Sequence, residues 1–477
     1  MGPASSASAV TASSPVAVVL LPCSIVTVIV PSQTLQQSVV DPVELLRELI
    51  RFDTSNPPGN ERACLEFVAE TLAGAGIDSR LVAKEPERPN LVARVPGKAK
   101  APPLLLYGHV DVVPAQVSEW KYPPFSGDLV DDVVWGRGAL DMKGGVAMLV
   151  AAFVSVANDS TLESDLILVL TSDEETGSRH GAKFLVEEHA DLFQDVRYAL
   201  SEIGGFTEWV GKRRLYPIQV AEKQRCLIRA TVRGVGGHPS VVVRGTAAAK
   251  LGRLLRRLDT KRLPAHVAPT AREMLAATAE ALPPYERLAL RGLAREPATN
   301  PLLRVIGSTA APLDAILHNT ATPTVIRSGG SSNVIPTEIS VELDGRVVPG
   351  QRPEDLVREL EDLAGSLAEF ELVEAEPPPS AEPDLTLYPM LAAILRRRDP
   401  DGVPIPALLP GYTDARYFGR LGIQTYGFLP MRLPTEITVD LIHAPDERVP
   451  ADAIRFGTEC LVEAIRQYPA TLAANQR

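Results

Sequence analysis

Cysteine is scarce in this sequence of 477 residues, which contains four cysteines and no C-x-x-C pair. Disulfide frameworks and thiolate zinc sites need cysteines that are dense or closely spaced, so the sequence argues against both kinds of site. We expect the widely separated Cys23, Cys64, Cys226 and Cys460 to be thiols of the protein core. Unpaired thiols are typical of a reducing compartment, and the sequence therefore favours a cytoplasmic location.

Basic residues are also in deficit, with 48 Lys and Arg against 59 Asp and Glu, which gives a formal net charge of -11. The sequence has neither a basic tract nor a basic patch interleaved with aromatic residues. Binding to nucleic acid or to an anionic membrane depends on clustered positive charge, so we expect neither kind of partner.

Long hydrophobic runs are missing as well. The apolar stretch from Val16 to Val30 is interrupted by Pro22 and Ser24, and no basic region precedes it. It is too short for a comfortable membrane span, and a signal peptide would need the basic region. We therefore predict that residues 1–40 are a leader, either disordered or the result of a misassigned start, with a signal peptide as the less favoured alternative.

The length of the chain exceeds what one hydrophobic core usually serves, so we expect two domains. The first begins at Asp41, a candidate helix N-cap that is followed by a proline at the first helical position. A second helix is predicted from a cap at Asn60 to Leu72. Apolar strands at residues 104–107 and 166–170, separated by a predicted helix, are typical of a mixed α/β sheet covered on both faces.

The pattern changes around Pro217, where residues 218–235 begin to alternate like a strand with one exposed face. A further strand is predicted at residues 334–347, and helices are predicted at residues 246–258, 263–311 and 353–368. Strands and helices in this order suit an inserted two-layer α+β domain, and the Pro- and Glu-rich residues 374–383 are typical of a returning linker. The predicted division is a mixed-sheet domain of residues 41–216 plus 384–477, with residues 217–383 inserted.

Acidic and imidazole side chains stand at the ends of several apolar segments, where open α/β sheets place their ligand sites. These residues are His109, Asp111, Asp141, Glu174, Glu175 and Glu202, and His443 is a further candidate near the C-terminus. Each has an ordinary explanation on its own, such as a loop histidine, a helix N-cap or a solvated glutamate. Together they supply the imidazole nitrogens and carboxylate oxygens that a divalent metal pair needs.

Five sequence blocks carry a family resemblance that runs from about Asp41 to Ala464. They are GHVDVVP at 108–114, WGRGALDMKGG at 135–145, DEETG at 173–177, NVIP at 333–336 and GYTDAR at 411–416. In this order they resemble the M20 family of zinc metallopeptidases and deacylases. That family includes aminoacylases, glutamate-releasing carboxypeptidases and succinyl-diaminopimelate desuccinylases.

The resemblance implies a site for two Zn²⁺ ions, with Co²⁺ or Mn²⁺ as possible replacements. It makes Asp141 the ligand that bridges the two ions. His109 and Glu202 complete the coordination of one ion, and Glu175 and His443 complete that of the other. It also implies a cis peptide bond between Asp141 and Met142.

The resemblance assigns catalysis to residues that do not hold an ion. Glu174 becomes the general base and later the general acid, because a base must stay uncoordinated to accept a proton. The Asp111 carboxylate is expected to accept a hydrogen bond from the second ring nitrogen of His109. The resemblance makes His238 a donor to the oxyanion of the tetrahedral intermediate, often in the active site of a dimer partner.

Asn333, Arg346 and Gly411 resemble family positions that bind the carboxylate of the substrate, for which Arg offers a planar fork. Two positions depart from the family pattern: Tyr412 stands where many relatives have glycine, and Pro239 follows His238. The first departure is expected to narrow the pocket around the loop that begins at Gly411.

The resemblance thus predicts a zinc-peptidase-like catalytic domain with an inserted lid and dimerisation domain, and a possible homodimer. The expected function is hydrolysis by zinc-activated water of an amide or peptide bond next to a free carboxylate. The substrate would be a small peptide or an N-acyl amino acid, and the enzyme a deacylase, a carboxypeptidase or a dipeptidase. The alternative is a non-catalytic scaffold or binding protein that retains the fold.

Overall fold

The computed structural model describes residues 18–20, 25–28, 40–157, 159 and 162–475. Most of the predicted leader, residues 1–40, lies outside the described residues. Two short stretches of it are described, and they form antiparallel strands, the second of which pairs with the strand at residues 79–83.

The strands of the described residues are, in chain order, β1 (Val18–Leu20), β2 (Ile25–Val28), β3 (Ser79–Ala83), β4 (Pro89–Val95), β5 (Leu104–His109), β6 (Asp128–Val130), β7 (Val133–Trp135), β8 (Leu166–Thr171), β9 (Tyr198–Ser201), β10 (Glu208–Val210), β11 (Arg213–Glu222), β12 (Gln224–Arg233), β13 (Thr320–Arg327), β14 (Glu338–Val347), β15 (Glu369–Ala375), β16 (Gly402–Leu409), β17 (Gln424–Gly427) and β18 (Arg448–Pro450). The α-helices are α1 (Pro42–Arg51), α2 (Arg62–Gly74), α3 (Lys143–Ala157), α4 (Ala182–Glu188), α5 (Ala247–Thr260), α6 (Pro269–Ala281), α7 (Pro284–Leu293), α8 (Glu296–Ile306), α9 (Ala311–Leu317), α10 (Pro353–Ala364), α11 (Tyr388–Arg398), α12 (Ala415–Phe418) and α13 (Ala451–Asn475).

A large mixed sheet forms the centre of the molecule. Its strand order is β1-β2-β3-β4-β8-β5-β9-β17-β11-β10, and β16 pairs with β11 off this path. The neighbours β8, β5, β9 and β17 run parallel to one another, whereas β3 and β4 are antiparallel to their neighbours. The carboxyl ends of the parallel strands therefore meet at one edge of the sheet, and the predicted mixed α/β class is confirmed.

Helices cover both faces of the large sheet because its strands are apolar on both sides. Alternate residues of β5 divide accordingly: Leu104 and Leu106 face the core cluster that includes α1, α3 and α13. Leu105 and Tyr107 face the smaller cluster that includes α4 and α12. Helix α3 is almost entirely buried, as expected for a helix that is apolar around its whole circumference.

A separate four-stranded antiparallel sheet, in the order β13-β14-β12-β15, packs against α5 and α10. The residues predicted as one strand, 218–235, are in fact two strands of different sheets. The first, β11, belongs to the large sheet, and the chain changes sheet at Lys223. The predicted domain boundary at residue 217 therefore lies inside a strand of the large sheet.

Local predictions fail where a side chain has another partner or a strand lies at an edge. Asn60 does not cap α2, which begins after Glu61, a residue that is bound by Arg88. Helix α10 ends at Ala364, before Gly365 with its positive φ, and a single 3-10 turn at residues 365–367 stands where the α-helix was predicted to continue to residue 368. Strands β13 and β15 were not expected, because both are edge strands with little buried apolar surface.

The cysteines and the helices can be compared with what the composition predicts. Cys64, Cys226 and Cys460 are buried free thiols, as predicted, while Cys23 lies outside the described residues. Among the helices of the described part of the chain, we find none with the length and apolarity to cross a membrane.

Candidate active site

His109 is the last residue of β5 and is almost completely buried. Its Nδ1 lies 2.9 Å from the backbone oxygen of Asp111 and 3.4 Å from a carboxylate oxygen of the same residue. A proton on Nδ1 shared with these acceptors leaves the Nε2 lone pair free. Nε2 lies 3.2 Å from Asp141 Oδ1 and 3.3 Å from Glu202 Oε2, so one imidazole nitrogen faces two carboxylates.

Asp141 stands between two histidines at the start of α3. Its Oδ1 faces His109, and its Oδ2 lies 3.3 Å from Nε2 of His443. A carboxylate whose two oxygens face different imidazoles has the arrangement of a bridging metal ligand. The peptide bond from Asp141 to Met142 is cis, which confirms the bond that the family resemblance implied.

The second histidine, His443, lies on a segment between β17 and β18 and is about half exposed, at 49% of its side chain. Its Nε2 lies 3.3 Å from Glu175 Oε2 as well as near Asp141. The other carboxylate oxygen of Glu175 is buried and has no hydrogen-bond partner among the described residues.

The donor set fits a pair of divalent ions. Ligand atoms of His109, Asp141 and Glu175 lie within 4.8 Å of one another, and so do those of His109, Glu174 and Glu202. Imidazole nitrogen and carboxylate oxygen are the donors that Zn²⁺ and related ions take in catalytic sites. The structure thus brings the five residues predicted as ligands into one cluster.

Glu174 lies beside this cluster in a short turn after β8. The backbone N–H groups of Glu174 and Glu175 each donate a 3.1 Å hydrogen bond to the carboxylate of Asp111. Asp111 is fully buried and therefore ties the turn to β5 as well as contacting His109. Asn56, which was not predicted, also donates to Asp111 at 2.8 Å, and no sequence pattern near Asn56 indicated this contact.

Burial and neighbouring charges shift the pKa values of several residues in the cluster. Burial, and then the nearby Glu202 carboxylate, hold the pKa of Glu174 well above its usual value. Burial raises the pKa of Glu202 to about 7. Hydrogen bonds to Asp141 and Glu175 raise the pKa of His443 to about 10. Burial is thus the main cause of the shift for the two glutamates, and acidic partners are the main cause for His443. A bound cation would favour the charged form of these carboxylates.

Two arginines, Arg346 of β14 and Arg416 of α12, meet at Tyr412, which follows Gly411 in the loop after β16. The Arg346 guanidinium lies 4.5 Å from the centre of the Tyr412 ring, and that of Arg416 lies 4.3 Å from it. Arg416 is buried, and its Nη1 lies 3.9 Å from Glu174. Arg416 is the last residue of the GYTDAR block at 411–416, but the sequence predicted no role for it.

Two predicted site residues, His238 and Asn333, lie elsewhere in the single chain. Both are exposed in loops of the four-stranded sheet region, and each bonds locally, His238 Nδ1 to Ser240 Oγ at 2.7 Å and Asn333 to Ser331. The two loops are joined, since the N–H of Ile335 donates to the carbonyl of Gly237.

Comparisons with known proteins identify the family of the chain. Residues 105–467 match the family described as "Peptidase family M20/M25/M40". The chain is 28% identical over 368 residues to "Probable carboxypeptidase S-like 2" of Dictyostelium discoideum, covering 73% of this chain and 68% of that protein. It is 32% identical over 223 residues to "Succinyl-diaminopimelate desuccinylase" of Cereibacter sphaeroides, covering 46% of this chain and 57% of that protein.

Among solved structures, the fold is similar to that of an M20 family metallo-carboxypeptidase, Sso-CP2, from Sulfolobus solfataricus. The TM-score is 0.65 at 20% sequence identity, and the match covers 90% of this chain and 99% of the other. The family match extends over most of the sequence and contains the whole cluster from His109 to His443. The chain therefore belongs to peptidase family M20/M25/M40 and is a metal-dependent amidohydrolase.

Proposed function

We propose that the protein hydrolyses an amide or peptide bond next to a free carboxylate, with two divalent ions, Zn²⁺ by preference, in the cluster described above. The observation that carries the proposal is Asp141, whose two carboxylate oxygens face the imidazoles of His109 and His443. Glu202 and Glu175 would complete the two sites. When bound, the ions supply Lewis-acid polarisation of the carbonyl and lower the pKa of water.

Glu174 is the proposed proton carrier. One oxygen of its carboxylate lies within 4.8 Å of ligand atoms of His109 and Glu202. The carboxylate also lies 3.9 Å from Arg416 Nη1, at the edge of the cluster. The raised pKa of Glu174 suits a group that takes a proton from water and returns it to the leaving amine, because proton transfer is most efficient near matched pKa values.

The arginines at Tyr412 are the proposed anchor of the substrate's carboxylate. Arg346 Nη1 and Arg416 Nε are buried and have no hydrogen-bond partner among the described residues, although Glu376 lies 3.8 Å from Arg416 Nε. Buried donors without partners are costly, and a carboxylate is the anion that a guanidinium fork fits best. Tyr412 holds the two guanidinium groups by its ring faces.

His238 and Asn333 would act only if a second copy of the chain contributes them. Both are exposed, and His238 has no contact with the metal cluster in the described structure of one chain. We propose that the four-stranded sheet region serves as lid and dimerisation domain, with His238 donating to the oxyanion in the partner's site. In this division, Lys223 rather than Pro217 begins the inserted domain.

The substrate is proposed to be an N-acyl amino acid or a small peptide. Two relatives are named as a probable carboxypeptidase and a succinyl-diaminopimelate desuccinylase, and both names indicate hydrolysis of an amide bond. The geometry described above favours the free carboxylate that both substrate types possess.

The decisive experiment is amine release from a panel of N-acetyl amino acids and dipeptides, each with its carboxyl-amidated analogue as a matched control. We expect turnover of free carboxylates that disappears with a chelator and returns with Zn²⁺, and little turnover of the amidated forms. Equal turnover of both forms would reject the carboxylate anchor. No chelator-sensitive release from any substrate would instead support the scaffold alternative.

A further inference from the structure

The two halves of the proposed metal centre are built on supports of different rigidity. His109 and Glu202 stand at the ends of β5 and β9, two paired strands in the middle of the large sheet. His443 instead lies on a segment without helix or strand, has a φ of 64° and is about half exposed, at 49% of its side chain. Its position is therefore set by local turn bonds and by contacts with other segments, and not by a strand of the large sheet.

A buried glutamate outside the ligand set holds the backbone around Asp141. Glu447 is fully buried, and its carboxylate accepts hydrogen bonds from the N–H groups of Gly138 at 3.0 Å, Leu140 at 2.7 Å and Asp141 at 3.0 Å. It also accepts from Arg137 Nη1 at 2.7 Å. Both carboxylate oxygens are thus occupied by donors, which makes Glu447 a support for the loop and not a ligand.

Arg137 connects this support to the His443 segment. Its Nη2 donates to the backbone oxygen of His443 at 3.1 Å, and its Nη1 donates to that of Ala444 at 3.2 Å. The guanidinium group is 3% exposed and lies 5.1 Å from the centre of the Trp120 ring. One ion pair, Arg137 with Glu447, therefore fixes the loop of the bridging ligand relative to the segment of the second histidine.

We propose that Arg137 and Glu447 are positioning residues that build the His443 half of the metal centre, so that binding of the second ion depends on them. The inference rests on the proposed function, since it needs two ions. Loss of the pair frees the His443 segment, while His109 and Glu202 remain fixed by the sheet. Partners behind metal ligands typically contribute about 10- to 100-fold in metal affinity, and we expect the second ion to lose that amount.

The test is a metal titration of the full chain in Zn²⁺ buffers, with bound metal counted by mass spectrometry. Glu447→Gln keeps the shape and removes the charge, and Arg137→Gln removes the hold on the His443 segment without touching the three backbone bonds to Glu447. His443→Ala is the benchmark for loss of the second ion. Asp399→Asn is the matched control, because Asp399 is a buried carboxylate that binds Arg214 and Tyr216 in another part of the fold.

In Glu447→Gln and in Arg137→Gln, we expect the first ion to bind about as in the wild type. The second ion should need about 10- to 100-fold more free Zn²⁺. Activity should recover at high Zn²⁺, whereas Asp399→Asn should lower thermal stability and leave both affinities unchanged. If Glu447→Gln does not fold, Arg137→Gln decides the question alone.

Unchanged affinity for the second ion, or an equal loss of both ions, overturns the positioning role while the proposed function stands. A wild-type protein that never binds a second ion overturns the two-ion centre itself, and with it this inference. The two failures are therefore distinguished by the wild-type titration.

Discussion

At the residue scale, neighbouring carboxylates in this site have different tasks because their surroundings differ. Glu175 faces the imidazole of His443, whereas its neighbour Glu174 faces Arg416 and the inner part of the cluster. Asp111 is occupied by backbone N–H groups and cannot serve as a ligand without breaking the turn. The chemistry of each carboxyl group is set by the atoms that reach it.

Glu174→Gln should lower kcat by at least about 100-fold, because an amide cannot carry the proton from water to the leaving amine. Metal content should stay near the wild-type value, as measured by mass spectrometry on the same samples. Glu175→Gln is the matched control, for which we expect loss of metal as well as activity. Substantial turnover by Glu174→Gln would remove this residue from the mechanism.

Glu222→Gln should change the pH dependence of stability. Burial raises the pKa of Glu222 to about 7 in the folded protein, against a usual value of 4.5. A raised pKa gives stability that is present below pH 4.5 and is lost as pH rises through 7, at roughly 1.4 kcal/mol per pH unit.

The free energy of unfolding of the wild type, relative to Glu222→Gln, should therefore fall by up to about 3 kcal/mol between pH 4.5 and pH 7.5. Denaturant unfolding of both proteins across this range measures the difference. A difference that does not vary with pH would show that Glu222 ionises normally in the folded state.

At the element scale, the long helices α3 and α13 pack against each other beneath the metal centre. Gly457 of α13 lies against α3, where an added Cβ would overlap the sulfur of Met148 and the carbonyl oxygen of Pro430. The glycine allows this close approach although it lowers helix propensity. Packing of this kind supports α3, whose first residue, Lys143, is two positions after Asp141.

Gly457→Ala should destabilise the fold by about 1–3 kcal/mol, because the overlap outweighs the gain in helix propensity. Gly252→Ala in α5 is the matched control, since Gly252 is exposed and its Cβ would meet nothing within 4 Å. The control should gain about 0.5–1 kcal/mol. Thermal or denaturant unfolding compares the two, and a stabilised Gly457→Ala variant would contradict the packing argument.

At the scale of the whole molecule, residues from two sheets contribute to one proposed site. Arg346 comes from β14 of the four-stranded sheet, while Tyr412 and Arg416 follow β16 of the large sheet. His238 and Asn333 are carried by the same four-stranded sheet region but are exposed. We therefore expect this region to meet a second copy of the chain.

Mixing two weakly active variants tests the shared site. His238→Ala and Glu174→Gln dimers, exchanged at equal amounts, should regain about a quarter of wild-type activity, because half of the dimers are mixed and each holds one complete site. Each variant alone should stay weakly active, and self-mixed samples serve as controls. Absence of recovery after demonstrated subunit exchange would place His238 outside the partner's site.

Much of the large sheet, and the residues able to hold ions, could be predicted from the sequence. Strand ends followed by His109, Asp111, Glu174, Glu175 and Glu202 are local features, and apolar runs such as β5 and β8 stand out without neighbours. Edge strands β13 and β15 are harder to predict in this way. β13 contains a proline, and the alternation of β15 is confined to residues 369–372, whose apolar side chains are only partly buried.

Which of these side chains meet depends on long-range packing, which the sequence does not show. Asp141 and His443 are 302 residues apart in the sequence, yet their ligand atoms lie 3.3 Å apart. The support of Glu447 and Arg137, the contact of Arg416 with Glu174 and the exposure of His238 likewise depend on how distant segments pack. A sequence pattern records the chemistry that each residue can perform, whereas long-range packing fixes the distances through which that chemistry acts.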